Sequence, residues 1–600
     1  MRKHHGAALL GCLALAFAAG SAKAGCQVGM IAELPVTMTG LQPMVPAKVN
    51  GAEVMFLADS GAFYSMITPS TAAEQKLKLE YLPFSFRLRG VGGEAEASLT
   101  TVKVFTLANV PIHNVQFIVA AGMGEDAAGL MGQNVLGLAD VEYDFAHGAI
   151  RLLKPHDCGH VGLAYWSGGK GFSMMDIKAP EARDPHTMGV AYVNGVKIKV
   201  MFDTGASTSV MTVAAAARAG IKTDAEGVQQ GGLSYGIGRH MPKNWIAPVA
   251  SFKIGDEEIR NTRLRIGEVD LDSADMLLGA DFFLSHRVYV SNAQHELYFT
   301  YNGGPVFNLT ATAMVQETPD QAPQASALPA DLGAEPKDAE GFSRRGAALA
   351  SRRDFERAIA DFDRACKLAP SESKYFYQRA MAHWSNKQAV MAMADLDQAV
   401  KLRPDNVQAL VSRAQLRLSE NEKVAAKADL DAAALAAPKE ADMRLELAGL
   451  YESIDQFEPA VVQYGLWIAA HDDDAHMAQA LNGRCWARAL LGRDLDQALS
   501  DCNRAIRASP KTAAMLDSRG MVRLRLGQLD KAIADYDAAL ALQPKIAWSL
   551  YGRGLAKQRQ GLKAPGQADL DAALAIRPDL PKKAKDYGIL DAPAAQKAGP

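Results

Sequence analysis

Six hundred residues exceed what a single apolar core serves, so two to four domains are expected. With 48% apolar and 22% charged residues the composition is that of ordinary globular protein. A formal net charge of -3 excludes the general pull toward nucleic acid or anionic membrane that a basic chain has, so function has to be read from sites.

The chain opens MRKHHGAALLGCLALAFAAGSAKAG: a basic start, an apolar run from Ala7 to Ala19, and Ala22-Lys23-Ala24 before Gly25. This is the three-part form of a secretory signal, residues 1–24, with cleavage after Ala24. The apolar run is too short for a permanent membrane anchor. A lipoprotein reading through Cys12 is the alternative, with little apolar sequence ahead of it; Cys26 lacks the leucine such a site needs. The expectation is a soluble exported protein, in the periplasm. Five cysteines then remain, Cys26, Cys158, Cys366, Cys485 and Cys502, and an oxidising compartment permits bridges among them. A Cys26–Cys158 bridge would clasp the first folded segment and leave Cys366 over. There is no CxxC and no His/Cys cluster at zinc spacing, so no metal is expected.

Two stretches then repeat each other. PAKVNGAEVMFLADSGAFYSMIT surrounds Asp59 and MGVAYVNGVKIKVMFDTGASTSVMT surrounds Asp203, at an offset of 144 residues. Each reads as a strand, an Asn-Gly hairpin turn, a second strand and then Asp-Ser/Thr-Gly-Ala. Downstream come two Gly-rich hairpin tips, Gly90-Val91-Gly92-Gly93 and Gly236-Ile237-Gly238. GLMGQNVLG (residues 129–137) then answers MLLGADFFL (276–284), and each half closes on a pair of strands.

In their order, these elements resemble the retropepsin-like aspartic proteases. The resemblance covers residues 30 to 302 and implies an all-β bilobal acid-protease barrel, with a first lobe over 27–158 and a second over 170–302. It implies catalytic Asp59 and Asp203, one from each lobe. Ser60 and Thr204 would hydrogen-bond across the interface, with Gly61 and Gly205 allowing the turns that aim the carboxylates inward. The two glycine-rich hairpins would act as flaps over a peptide. Two carboxylates pressed together share one proton over a wide acidic range, so the pair can serve as base and acid at once. No cofactor is required. The second flap carries Arg239 where the first has Gly93, and Ala62-Phe63-Tyr64 is bulkier than Ala206-Ser207-Thr208. These differences predict an asymmetric cleft in which one flap does most of the covering.

Residues 303–338, rich in Pro, Ala, Gln and acids, read as a flexible linker. Beyond it Pro370, Pro404 and Pro438 recur every 34 residues, as do Pro510, Pro544 and Pro578; Asp472 holds the intervening place. Small and aromatic residues keep the same period: Gly346, Ala358, Phe362, Ala365; Ala380, Ala392, Leu396, Ala399; Ala414, Ala426, Leu430, Ala433; and Gly520, Ala532, Tyr536, Ala539. This resembles seven tetratricopeptide (TPR) repeats over 339–578, an all-α solenoid with a concave face for a peptide or protein partner. A tail, 579–600, follows. Trp467 stands where the fourth repeat expects alanine, and Pro565 and Gly566 are expected to loosen the seventh. Cys485 and Cys502 fall on facing helices of the fifth repeat, as a bridge or as two buried thiols. Recurrent aspartates in ADLDQA and ADYDAA read as a solvated edge or local caps, since calcium-ligand spacing is absent.

The expected function is a cofactor-independent aspartic endopeptidase whose solenoid recruits protein partners or substrates, without nucleic acid or a membrane span. The alternative is a catalytically silent peptide-binding scaffold that uses the barrel cleft and the solenoid groove.

Overall fold

Three sheets and fourteen paired helices account for most of the computed structural model, which describes residues 26–82, 86–121, 127–169, 171–179, 186–234, 236–237, 241–271, 273–307, 309, 335–471 and 474–590. The signal segment, Gly238, Arg239, most of the linker and the end of the tail lie outside them. Residues 27–301 are almost wholly β, with short helices; 339–586 are helical.

Each half of the β region is a curled sheet, eight-stranded in the first and seven-stranded in the second. The Asn-Gly turns behave alike. Asn50 and Gly51 have φ of 50° and 93°, and Asn194 and Gly195 have 50° and 78°. Both turn residues are left-handed, which suits the twist of a two-residue hairpin. Each asparagine also accepts a main-chain N–H from a neighbouring strand, Val104 at 3.1 Å and Ala250 at 2.9 Å.

A third, six-stranded sheet joins the halves. Gln27–Pro35, Ala149–His156 and Asp140–Asp144 come from the first; His286–Ser291, Glu296–Tyr301 and Ser173–Asp176 come from the second. At its centre Val141 faces Val290, Glu142 faces Tyr289 and Tyr143 faces Val288 in antiparallel register. Buried Glu142 sits there between Arg287 (2.8 Å) and Arg151 (2.5 Å), so the seam carries a compensated charge. One apolar core runs through both halves beneath this sheet. Cys26 and Cys158 are bridged, tying the start of the outermost strand to the chain just past the strand that pairs with it.

The helices pair regularly from Ala339–Ser351 with Phe355–Leu368 to Ala547–Arg559 with Lys563–Ile576, seven pairs among the described residues. The periodic small residues are the points of closest approach. A Cβ added to Gly346 would lie 2.9 Å from the Phe362 ring, and one added to Gly520 would lie 2.7 Å from Tyr536. Where leucine replaces the ring, at Leu396 and Leu430, alanine replaces the glycine, at Ala380 and Ala414; helix spacing is conserved by trading volume. Trp467 is buried and stacks on His471 with centroids 4.4 Å apart. Cys485 and Cys502 are bridged, and Cys366 is a buried free thiol.

Two expectations about the solenoid are corrected. The recurrent aspartates are not simply a solvated edge. One aspartate in each of six repeats, Asp361, Asp395, Asp429, Asp501, Asp535 and Asp569, is buried. Each accepts a two-pronged arginine from its own repeat: Arg345, Arg379, Arg413, Arg484, Arg519 and Arg553, at 2.6–3.1 Å. A third guanidinium nitrogen reaches back to the preceding repeat, from Arg379 to Asp363, Arg413 to Asp397 and Arg553 to Asp537. The arginines are rungs that fix both the helix pair and its stacking. The fourth repeat has Leu447 and Gln463 at these places and breaks the ladder. Nor is the seventh repeat loosened. Pro565 lies in the first turn of its helix, where a missing N–H costs nothing, and Gly566 lets that helix approach the carbonyl of Gly554, 2.9 Å from an added Cβ.

The first repeat is docked on the barrel. Ala347, Ala348 and Leu349 share its core. Ser351 donates to the carbonyl of Gly40, and Arg352 donates to that of Gly303 at 2.5 Å. Among the described residues no helix is long and apolar enough to cross a membrane.

Candidate active site at the junction of the lobes

Strands Ala52–Ala58 and Val196–Phe202 end at Asp59 and Asp203. The N–H of Asp59 donates to Met131 (3.0 Å) and that of Asp203 to Leu278 (2.9 Å), which pins each chain just before it turns. The turns then interlock. The N–H of Ser60 donates to the Thr204 hydroxyl and the N–H of Thr204 to the Ser60 hydroxyl, both at 3.0 Å. Each hydroxyl in turn donates to a carbonyl of the other lobe: Ser60 to Phe202 at 2.9 Å, Thr204 to Ala58 at 2.7 Å. Both side chains are buried, so these four bonds have no competition from water.

Above this exchange the carboxyls cross. A Cβ on Gly61 would lie 2.3 Å from Cγ of Asp203, and one on Gly205 would lie 2.2 Å from Cγ of Asp59. Neither glycine has a left-handed φ. The expected reason for glycine, freedom to make the turn, is therefore replaced by another: the opposite carboxyl occupies the space a side chain would need. Asp59 Oδ1 accepts from the N–H of Gly61 (2.9 Å). Asp203 Oδ1 accepts from Gly205 (2.9 Å) and Ala206 (3.1 Å). The two carboxyls also hydrogen-bond each other, which requires a proton between them.

Burial drives both aspartates above the usual carboxylate range. For Asp59 the charge of Asp203 and the bond to it add to the rise, so its carboxyl holds a proton well above the usual carboxylate range. For Asp203 burial is opposed by the N–H groups of Ala206 and Gly205, the bond from Asp59 and the nearby charge of His186. The pair holds its proton jointly, so titration belongs to the dyad and not to either member.

Three supporting features were missed from sequence. His186 Nε2 lies 3.0 Å from the carbonyl of Gly61 and acts electrostatically on Asp203; nothing in its surroundings in sequence marks it. Buried Tyr143, in the joining sheet, hydrogen-bonds Ser60 beneath the dyad. Ser65 donates to Asn134 (2.8 Å) and Ser209 to Asp281 (2.7 Å), while Gly132 and Gly279 donate to those serine hydroxyls at 3.1 and 3.0 Å. These last contacts occupy matched places in the repeat, so aligning the halves residue by residue would have exposed them.

The hairpin Leu88–Gly90 with Gly93–Ala95 carries Val91 and Gly92 at its tip. The N–H of Gly92 donates to Ile237 of the other flap at 2.8 Å. Val91 packs with Val210, Val269 and Leu277 of the second half, while Ile237 packs with Met44, Leu57 and Leu130 of the first. Each tip is thus seated on the opposite lobe. An apolar residue of each flap, Val91 and Ile237, finds an apolar socket across the cleft; the expected dominance of one flap rests on Gly238 and Arg239, which lie outside the described residues. Gly90 must be glycine for this crossing; its Cβ would stand 2.7 Å from that of Ile237. Among the described residues no group of His, Cys, Asp and Glu is arranged to hold a metal.

Residues 45–135 match the family model described as aspartyl protease, and residues 190–285 match that of the gag-polyprotein putative aspartyl protease. Residues 373–406 and 520–561 match tetratricopeptide repeat models. No curated protein is significantly similar to the chain. Similar solved structures include a tetratricopeptide repeat protein from Parabacteroides merdae (15% identity, 42% of this chain and 99% of that one, TM-score 0.31). They also include YrrB, described as a TPR protein with an unusual peptide-binding site (17%, 38% and 97%, 0.23). The type IV pilus biogenesis factor PilW is a third (17%, 36% and 97%, 0.28).

Proposed function

We propose that this chain, which joins two aspartyl-protease-like domains to a tetratricopeptide solenoid, is an exported endopeptidase that cleaves peptide bonds with water activated by Asp59 and Asp203. The observation that carries the reading is the crossed closure of the two turns. Each carboxyl fills the space left by the other lobe's glycine, above a reciprocal exchange of four hydrogen bonds. A turn that served only as a buried cap would have no reason to press two acids together at the cost of raising both pKa values.

The chemistry follows from the shared proton. The ionised carboxylate takes a proton from water as its oxygen attacks the peptide carbonyl carbon, and the protonated carboxyl gives its proton to the carbonyl oxygen. The tetrahedral intermediate then collapses. The carboxyl that took the water proton gives it to the leaving nitrogen and the C–N bond breaks; one hydroxyl of the intermediate returns its proton to the other carboxylate as the new C=O forms, so the pair ends with one proton. Tyr143 and the Ser60–Thr204 exchange keep the carboxyls from separating. Opening the flaps frees the N–H of Gly92 and the carbonyl of Ile237, which an extended substrate strand can pair with.

Two disulfides support export to an oxidising compartment. The solenoid's architecture supports a role in bringing protein partners or substrates to the cleft. The test is cleavage of an unfolded protein from acid to neutral pH by the wild type and by Asp203→Asn. Turnover that the substitution abolishes is expected. A variant that cleaves as well as wild type overturns the assignment, and peptide binding without hydrolysis at every pH favours a silent scaffold.

A further inference from the structure

The concave face of the later repeats is occupied by the chain itself. After the seventh repeat, helix Leu580–Asp586 and residues 587–589 fold across it, with Leu580, Ala584 and Ile589 buried. The Tyr587 ring stands edge-on to Phe457 at 5.2 Å and stacks on Trp548 at 6.3 Å, and Trp548 in turn meets Trp486. The Tyr587 hydroxyl donates to Asp455, and Lys583 Nζ lies 3.1 Å from the same carboxylate. The main chain is read as well. Arg525 donates to the carbonyls of Tyr587 and Gly588, and Arg559 donates to that of Ile589 at 2.6 Å.

A segment that merely capped the solenoid would face the last helix, Lys563–Ile576. Instead these contacts reach Asp455 and Phe457 in the fourth repeat, together with arginines of the sixth and seventh. The contact types are those of peptide capture: a slot of rings for an aromatic side chain, a carboxylate for an ammonium, and fixed guanidinium groups for backbone carbonyls. A cavity of about 360 Å³ continues beside the segment, lined by Gly449, Glu452, Trp486, Leu490 and Arg577, with room for a further side chain.

We propose that this face is a binding site for a protein segment that carries lysine four residues ahead of tyrosine and then glycine and an aliphatic residue. Lys583–Ile589 is its resident occupant, displaced when a partner protein presents the same chemistry. The proposal rests on the reading of the solenoid as a partner-binding module and specifies its ligand. Holding the occupant on the same chain raises its local concentration, so a competing segment binds weakly until the resident one is released.

The experiment uses the full-length chain and a fluorescein-labelled peptide of residues 580–590, followed by anisotropy. Lys583→Ala combined with Tyr587→Ala vacates the site and is expected to bind the peptide at least about ten-fold tighter than wild type does. Adding Asp455→Asn and Arg525→Ala is expected to remove that gain. Equal binding by wild type and the folded double variant, or a gain that survives the added substitutions, overturns the proposal. If the double variant does not fold, hydrogen exchange of the wild type decides: excess unlabelled peptide must speed exchange of the amides of residues 584–589, and unchanged exchange overturns it. Panning a displayed random-peptide library on the same variant separates the two levels. Captured peptides of other chemistry overturn this ligand while the recruiting role stands; no captured peptide at all overturns both.

Discussion

The barrel and the solenoid are both built by repetition, yet they turn it to opposite electrostatic ends. In the barrel two copies meet face to face, so equivalent residues converge: Asp59 on Asp203, Ser60 on Thr204, each glycine under the other copy's carboxyl. In the solenoid the copies are stacked by translation, so equivalents form a row. Each aspartate of the periodic row meets a different residue type, an arginine from the partner helix. The consequence shows in acidity. Burial raises both dyad carboxyls, and a like charge adds to it at Asp59. At Asp569 burial also pushes upward, but hydrogen bonds and charge from Arg553 and Lys557 outweigh it and hold the acid below its usual range. Symmetry that converges presses like acids together; symmetry that translates sets each acid beside an opposite charge.

The comparison is broken most severely by removing one acid of the converging pair. Asp59→Asn or Asp203→Asn is expected to lower peptide cleavage by about a thousand-fold or more, measured as kcat/KM. Stability should move the other way. Both folded pKa values lie above the unfolded value, so the dyad's contribution is present in acid and lost as pH rises through the folded values. The variant is therefore expected to melt higher than wild type near neutral pH and not in acid.

In the row, Arg519→Ala takes the two-pronged partner from buried Asp535, leaving it Arg523 at 2.7 Å, and is expected to cost about 2 kcal/mol in unfolding of the solenoid, read by denaturant titration. The same experiment on Asn503→Ala, which loses only the reach to the preceding repeat, should cost far less.

Asp517 sharpens the comparison because it is a solenoid aspartate without an arginine. Burial pushes it up to about 7, with only the Ser549 hydroxyl bonded to it. Its contribution is present below the unfolded value of 3.8 and is lost as pH rises through about 7. Asp517→Asn keeps an acceptor for Ser549 without the charge, and is expected to raise the melting temperature by a few degrees at about pH 8 while leaving it unchanged in acid.

The smallest effect tests the asymmetry within the dyad. The charge of His186 opposes the upward shift at Asp203, so His186→Ala is expected to move the acid limb of the pH–rate profile toward higher pH with little change in the maximum. An unmoved limb would mean that the two lobes are electrostatically equivalent.

Much of this was legible in the linear chain, for particular reasons. The offset of 144 located both acids and their hydroxyl neighbours, because duplication leaves its record in order and spacing. The period of 34 located seven helix pairs because each must present small residues where its helices touch. The arginine ladder was periodic as well, but aspartates at a helix edge look solvated until the facing helix supplies their partner. Glycine at 61 and 205 was read as turn chemistry, whereas the pressure comes from an atom 142 to 146 residues away along the chain.

By itself, then, the sequence determined the units: two strand-turn-strand copies ending in an acid, and seven helical hairpins, since local pattern and repetition are properties of short stretches. Tertiary structure alone decided how those units meet. It crossed the flaps, brought His186 and Tyr143 to the dyad, seated the first repeat on the barrel core, and returned Lys583 and Tyr587 to Asp455. These contacts join residues with no shared period, through burial and charge that exist only once the distant surfaces are brought together.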